Sequence, residues 1–191
     1  MPAPELLLDG RLVVCRALVP DAETVFARLR DETAWLSPGY AHDRGVTRLP
    51  RLTANYGERS YDYAKLVFAP RPWTPLLVEL KALAEQWGAT SFNAAILQQY
   101  RDGTDRVSWH ADDSPAVGPD PVIVSLSFGA TRAFHLKAKA DPTQRVALDL
   151  HAGDLVVMRG DLQHTHLHTV PRQPGAGMRI NITFRRIIDV A

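Results

Sequence analysis

The sequence predicts an α+β fold: a jelly roll or β-sandwich built from the second half of the chain, with helices from the first half packed outside. Three observations carry that prediction. From Phe92 onward the chain breaks into short segments that alternate apolar and polar residues, as half-buried strands do. The breaks between them, such as GAT, AGD and QPGAG, hold turn-forming residues. Before Phe92, the apolar residues Leu76, Leu77, Leu80, Leu83, Ala84 and Trp87 recur at helical spacing and form one stripe.

Taken in order, the first third reads as mixed helix and loop. Asp21 is placed to cap a helix running to about Trp35, which the Ser-Pro-Gly break at 37–39 ends. A polar, arginine-rich connection follows from His42 to Arg59. The next helix has Thr74 as N-cap, Pro75 in its first turn and Gly88 at its end. The strand candidates are FNAAILQQY (92–100), VIVSLSFG (122–129), RAFHLKA (132–138), RVALDL (145–150), DLVVMR (154–159), HTHLHTV (164–170) and MRINITFRR (178–186). Residues 1–191 are read as one domain, with a helical portion over 1–90 and a strand-rich core over 91–188.

A net charge of +1 argues against a strongly basic nucleic-acid coat protein, although the basic residues are almost all arginine, whose planar forks suit phosphates and carboxylates. The apolar runs fall far short of the ~20 residues a membrane helix needs. The opening MPAPELLLDGRLVVC shows no basic stretch leading into a long apolar one, so no secretion signal is expected. The single cysteine, Cys15, fits a reducing cytosol. A cytoplasmic monomer without membrane contact is the expectation.

The chemistry begins at VSWHADDSP (107–115). His110 and Asp112 stand two apart, so on an extended chain they share a side, and together they make two-thirds of a metal site. Two histidines and one carboxylate leave three positions open on one side of an iron, enough for a bidentate co-substrate and dioxygen. Zinc also accepts such donors. For the second histidine, His42 lies in the polar connection, while His135 and His151 stand alone on strands. In HTHLH, His164, His166 and His168 alternate with period two, and spacing does not choose among them. The last strand puts Arg179, Asn181, Thr183 and Arg185 on one face and Ile180, Ile182 and Phe184 on the other. Two arginines inside a barrel are costly unless anions meet them, and a dicarboxylate co-substrate would do so.

Together these segments resemble the AlkB family of iron(II)- and 2-oxoglutarate-dependent dioxygenases, closest to the branch that repairs alkylated duplex DNA. The resemblance runs from roughly Pro50 to Ile187 and is carried by NAAILQQYRDG, HADD, VSLSFGATRAF, GDLVVMRGDLQHTHLHTVP and RINITFRRI. It implies a double-stranded β-helix (jelly-roll) core, with outer helices and a nucleotide-recognition segment before residue 91. It selects His168, in HTVP, as the distal ligand of Fe(II) beside His110 and Asp112. It assigns Arg179, helped by Tyr100, to the far carboxylate of 2-oxoglutarate. Asn181, Thr183 and Arg185 would face the co-substrate's metal-side end, and Gln98 stands where the family usually carries asparagine.

In PRLTANYGERSYDY (50–63), the resemblance gives Tyr61 and Tyr63 the role of stacking an extruded base and gives Arg51 a phosphate contact. Ser114 occupies a position near the base that is often acidic in the family. The segment AHDRGVTR (41–48) offers His42 and Arg44 but no large apolar wedge, which weakens the expected duplex preference. The implied activity is oxidative demethylation of bases of the 1-methyladenine and 3-methylcytosine type in single- or double-stranded DNA. It consumes 2-oxoglutarate and O2 and releases formaldehyde, succinate and CO2. RNA demethylation, or hydroxylation of a protein or small molecule, are the alternatives. Such lesions do not pair, so extruding them saves part of an unstacking cost of a few kcal/mol, and a cationic base gains about 0.5–2 kcal/mol on an aromatic face.

Overall fold

MRINITFRR becomes the strand around which the molecule is organised, and in it every residue from Arg179 to Arg185 is buried. A strand buried on both faces needs a layer on each side. The computed structural model describes residues 3–63 and 66–188, with backbone only over 61–63 and 66–68.

The chain begins with strands rather than with helix and loop: β1 (Glu5–Leu7) and β2 (Leu12–Cys15) form a hairpin, and α1 (Ala22–Glu32) follows. The arginine-rich stretch expected as a connection is also strand: β3 (Gly39–His42), β4 (Gly45–Arg48) and β5 (Leu52–Gly57). Next come β6 (Tyr61–Tyr63), β7 (Leu66–Phe68) and α2 (Pro75–Gly88). The remaining strands are β8 (Ala94–Tyr100), β9 (Val107–His110), β10 (Ile123–Gly129), β11 (Arg132–Ala138), β12 (Arg145–Leu150), β13 (Leu155–Met158), β14 (His166–Val170) and β15 (Arg179–Arg185). A short α3 (Leu162–Thr165) precedes β14.

Two antiparallel sheets face each other. The larger has the order β1-β2-β13-β10-β15-β8-β5, and the smaller has β12-β11-β14-β9. This is the jelly roll that the strand-rich second half predicts, but its larger sheet takes β1, β2 and β5 from the first third. Alternation misses them for physical reasons. LVVC is an unbroken apolar run buried on both faces, and LTANYG has polar residues on its buried side.

Among the described residues there are two large cores, besides a third, smaller cluster of Ala94, Ile96, Val117 and Ile187. The outer one lies between the large sheet and the helices, where Ile180, Ile182 and Phe184 meet Leu76, Leu77, Leu80 and Ala84 of α2 and Leu29 of α1. The inner one lies between the sheets and includes Tyr100, Phe134, Leu136, Val156, Met158 and Val170. Burying a side chain of this size stabilises by about 1.5–3 kcal/mol, so each core exceeds any single polar contact.

The expected cap of α2 is present, with the Thr74 hydroxyl accepting from the Leu77 N–H at 3.3 Å. The left-handed residue ending the helix is Ala89, at φ +50°, rather than Gly88. Gly88 serves packing instead: a Cβ there would come within 3.0 Å of the Phe92 ring and 3.1 Å of Val124.

Cys15 lies on β2 in the outer core, 3% exposed. Burial, seconded by Asp154, pushes its thiol up to about 11. The folded protein at pH 8 is therefore expected to resist a thiol reagent and to consume one equivalent only on unfolding, with the reagent's absorbance as the measurement. Rapid labelling of folded protein would contradict this burial.

Candidate metal and co-substrate site

The smaller sheet brings the two histidines together. β14 pairs with β9 so that His168 stands directly opposite His110, and the register shifts between His168 and Val170. Cross-strand neighbours have Cβ atoms about 4.5–5.5 Å apart, and here the two imidazole centroids are 4.2 Å apart. Asp112 follows β9 by two residues and is 2% exposed. One ligand atom from each of His110, Asp112 and His168 lies within 4.8 Å of the others.

The charge states of Asp112 and His168 suit a metal. His110 Nδ1 lies 2.8 Å from the Ser108 carbonyl, which can only accept, so Nδ1 donates there and Nε2 is the ring nitrogen that would face a metal. Burial pushes the Asp112 carboxyl up, but Arg185, His168 and His110 outweigh it and hold the group at about 2. Burial, with His110 second, pushes His168 down to about 3, against the pull of Asp112. Neutral imidazoles and an ionised carboxylate are what ligation requires. Asp112 Oδ2 accepts from Arg185 at 2.8 Å, while Oδ1 is buried with no hydrogen-bond partner among the described residues.

The aspartate is also fixed through its backbone. Its N–H donates to Gln163 Oε1 at 2.9 Å, and Gln163, on α3, is 1% exposed. Lys139 ties the same loop to α3, donating to Asp113 Oδ2 at 2.9 Å and to the Gln163 carbonyl at 3.0 Å. Gln163 thus joins the Asp112 loop to the segment that leads into His168. Gln163→Leu should weaken Mn(II) binding about tenfold, as losses around a ligand shell do, and should lower stability by about 1–3 kcal/mol, because the buried Asp112 N–H loses its acceptor. Unchanged affinity in a titration would remove Gln163 from this role.

Along β15 the polar residues face the small sheet in register with β8: Arg179 opposite Tyr100, Asn181 opposite Gln98, and Thr183 opposite Ile96. On the other flank, β10 sets Ser125 against Thr183 and Ser127 against Asn181. Asn181 Nδ2 donates to Ser125 Oγ at 2.6 Å and to the Leu126 carbonyl at 2.9 Å. Thr183 donates to Asn181 Oδ1 at 3.0 Å. Arg179, 1% exposed, donates to Ser127 Oγ at 2.9 Å and lies 5.3 Å from the Tyr100 ring centre. Its Nε and Nη1 are buried with no hydrogen-bond partner among the described residues. Such a cation is a receptor for an anion. Ser125 and Ser127 were legible as alternating small polar residues in VSLSFG, whereas nothing in the sequence marks Gln163.

Two cavities meet at the triad. One is lined by Tyr100, Ser125, Phe134, Asn181 and Thr183, the other by Leu49, Arg51, Thr53, Asn55 and Ile96. Both include Gln98, His110, Asp112 and Arg185. Gln98 stands on the strand between β15 and β5, its Oε1 accepting from the Tyr100 hydroxyl at 2.8 Å.

Several expected residues fall elsewhere. The histidines of HTHLH do not share one face, because His164 belongs to α3 and bonds the Pro119 carbonyl, and the strand starts at His166. Ser114 Oγ accepts from the Ala116 N–H at 3.3 Å and caps the short turn after Asp112. Arg51 is neither solvated nor on an outer surface; at 3% exposure it donates to the Arg106 carbonyl at 3.2 Å and lines the second cavity. Residues 41–48 form most of the β3–β4 hairpin, with His42 turned back to Thr47 at 3.0 Å. Val46, 55% exposed, is an apolar residue there. Tyr61 and Tyr63 lie on β6, and their side chains fall outside what is described.

A triad of two histidines and one carboxylate, with Asp112 and His168 buried and His110 half-buried, inside a jelly roll beside an anion-ready arginine, has the donor set of a mononuclear oxygenase site. In agreement, the family model described as the 2OG-Fe(II) oxygenase superfamily matches residues 16–185. Among curated proteins, the alpha-ketoglutarate-dependent dioxygenase alkB homolog 3 of Bos taurus is 37% identical over 190 residues, covering 93% of this chain and 66% of its own length. The Homo sapiens protein of that name is 35% identical over 179 residues, with 88% and 63% covered. DNA oxidative demethylase ALKBH2 of Homo sapiens is 30% identical over 181 residues, with 88% and 69% covered. "The structure of OsALKBH1" superposes with a TM-score of 0.73 at 17% identity, over 96% of this chain and 100% of that one, which speaks to the fold. The chain belongs to the AlkB family of 2OG-Fe(II) oxygenases. It spans 60–66% of the length of the alkB homolog 3 relatives. Among the described residues no helix is long and apolar enough to cross a membrane.

Proposed function

We propose that the protein oxidatively demethylates N-alkylated bases of the 1-methyladenine and 3-methylcytosine type in DNA, using Fe(II), 2-oxoglutarate and O2. The observation that carries this is the pair of cavities that share His110, Asp112 and Arg185, one lined further by Asn181 and Thr183 of β15 and the other by Thr53 and Asn55 of β5. An oxygenase that consumes a co-substrate needs such an arrangement: the two molecules reach one metal from different sides. The relatives named for DNA oxidative demethylation support the choice of substrate.

His110, Asp112 and His168 would hold the iron. Arg179, with Tyr100 and Ser127, would bind the co-substrate's far carboxylate, and Asn181 and Thr183 would line its path. When bound, iron and 2-oxoglutarate supply the oxidising chemistry that hydroxylates an N-methyl carbon, after which formaldehyde leaves the base. The protein's share is position and dryness. Arg185 holds Asp112 in its ligating charge state, Gln98 separates the two cavities, and the inner core excludes water from the centre.

The experiment is anaerobic loading with Fe(II), then aerobic incubation with 2-oxoglutarate and a 3-methylcytosine oligonucleotide, following methyl loss and succinate by mass spectrometry. Methyl loss coupled to succinate is the expected result. Succinate without methyl loss would turn the search to RNA, protein or small-molecule substrates, and neither product from metal-loaded protein would overturn the reading.

A further inference from the structure

The polar rows that cross the large sheet do not stop at β8. They continue onto β5, its outer strand: Thr53 stands opposite Gln98 in the row of Asn181, and Asn55 opposite Ile96 in the row of Thr183. On β15 these rows are internally satisfied, since Asn181 bonds Ser125 and Thr183 bonds Asn181. On β5 they are not. Thr53 is 3% and Asn55 7% exposed, yet Thr53 Oγ1 and Asn55 Oδ1 are buried with no hydrogen-bond partner among the described residues. A buried polar atom without a partner is costly, and native proteins leave few of them.

Both side chains line the second cavity, which meets the first at Gln98, His110, Asp112 and Arg185. Leu49 and Ile96 add apolar surface to the same cavity and Arg51 a cation, and its one carboxylate among the described residues, Asp112, is engaged by Arg185. A ligand suited to these walls has apolar faces and a hydrogen-bonding edge. Toward Asn55 Oδ1 that edge must present a donor, because a carbonyl oxygen only accepts.

We propose that Asn55, with Thr53 beside it, reads the exocyclic amino group of the alkylated base and so determines specificity for amino-bearing bases over carbonyl-bearing ones. This rests on the dealkylation reading above and adds its base selectivity. The strand β5 then acts as a neutral recognition edge: it discriminates by the direction of a hydrogen bond, and the charge at the site remains that of the metal ligands and arginines.

The test compares kcat/KM on two otherwise identical oligonucleotides. One carries 3-methylcytosine, and the other carries 3-methylthymine, which has a carbonyl in place of the amino group. Asn55→Leu should lower turnover of 3-methylcytosine about tenfold or more, while 3-methylthymine stays within about twofold, as expected for one buried hydrogen bond. Asn55→Asp keeps an acceptor and should keep the preference. Asn55→Leu breaks no side-chain hydrogen bond among the described residues and removes a buried acceptor without a partner, so its unfolding temperature should not fall below the wild-type value. Should it fail to fold, Thr53→Val is the second variant, with a smaller loss of the same selectivity. Equal losses on both oligonucleotides, or no loss, would overturn the proposal and leave the dealkylation reading intact. A wild-type protein that demethylates neither would overturn both.

Discussion

Asp112→Ala is expected to abolish metal-dependent turnover and to lower the stability of the metal-free protein. The first effect follows from the donor set, in which Asp112 is the only anion among the three groups gathered within 4.8 Å. Two neutral imidazoles bind a divalent ion far more weakly, and the loss exceeds the ten- to hundredfold cost of disturbing a supporting contact, so affinity should fall on the order of a hundredfold or more. The second effect follows from Arg185, whose side chain is 6% exposed and which donates to Asp112 Oδ2 at 2.8 Å. Removing one member of a buried ion pair costs about 3–5 kcal/mol, because the other charge stays in place without it. Asp112→Asn keeps the shape and is the variant to use if alanine prevents folding; it too should lose metal affinity. Mn(II) titration and urea unfolding of the apoprotein read the two effects separately, and substantial iron-dependent turnover in either variant would refute the ligand assignment. The acid limb has a definite sign. The folded carboxyl titrates at about 2, below its value near 4 in an unfolded chain, so its stabilising share is complete above about pH 4 and is lost as the pH falls toward 2.

The site was more legible in the sequence than the sheet that carries it, and particular residues show why. His110 and Asp112 lie two apart and act from one strand end, so their relation is local. The strand RINITFR alternates cleanly because one face meets the helices and the other meets the co-substrate cavity. By contrast, β1, β2 and β5 were read as loop or connection. The strand character of β2 and β5 depends on pairing with β13 and β8, far away in the chain, and β1 then pairs with β2. Among the three histidines of HTHLH, period two suggested a shared face, but α3 takes up His164, and only the pairing of His168 with His110 separates them. Gln163 and Asn55 were invisible for the same reason. A glutamine or asparagine acquires its role from what stands opposite it, and nothing local announces a buried acceptor.

Arg179→Met is expected to eliminate productive use of 2-oxoglutarate while leaving the apoprotein as stable as wild type, or more so. This is the reverse of the Asp112 result, and the difference lies in what each charge faces. Asp112 is met by a cation. Arg179 is met by a serine hydroxyl and an aromatic ring, with no carboxylate partner among the described residues. Burial pulls its pKa below the usual guanidinium range, and the neighbouring Arg132 pulls the same way, against Tyr100. Arg132 is itself 0% exposed, held by the carbonyls of Asp102, Asp105 and Pro171 and stacked 5.3 Å from the Tyr100 ring centre. The apoprotein therefore holds two buried guanidinium groups beside one phenol, a strained electrostatic state that an incoming dianion relieves. Methionine fills a similar volume without the charge, and such replacements of buried charge are often neutral or stabilising by about 1–4 kcal/mol. The KM for 2-oxoglutarate should rise about a hundredfold or more, as for loss of a charged, bidentate contact in a dry site. Thermal unfolding with Mn(II) is the direct check. Adding 2-oxoglutarate at a hundred times its Kd should stabilise wild type by about 2.7 kcal/mol, and the same concentration should scarcely move Arg179→Met. If the variant's melting temperature rises with 2-oxoglutarate as the wild type's does, the co-substrate is held elsewhere, and the buried arginine is a structural charge.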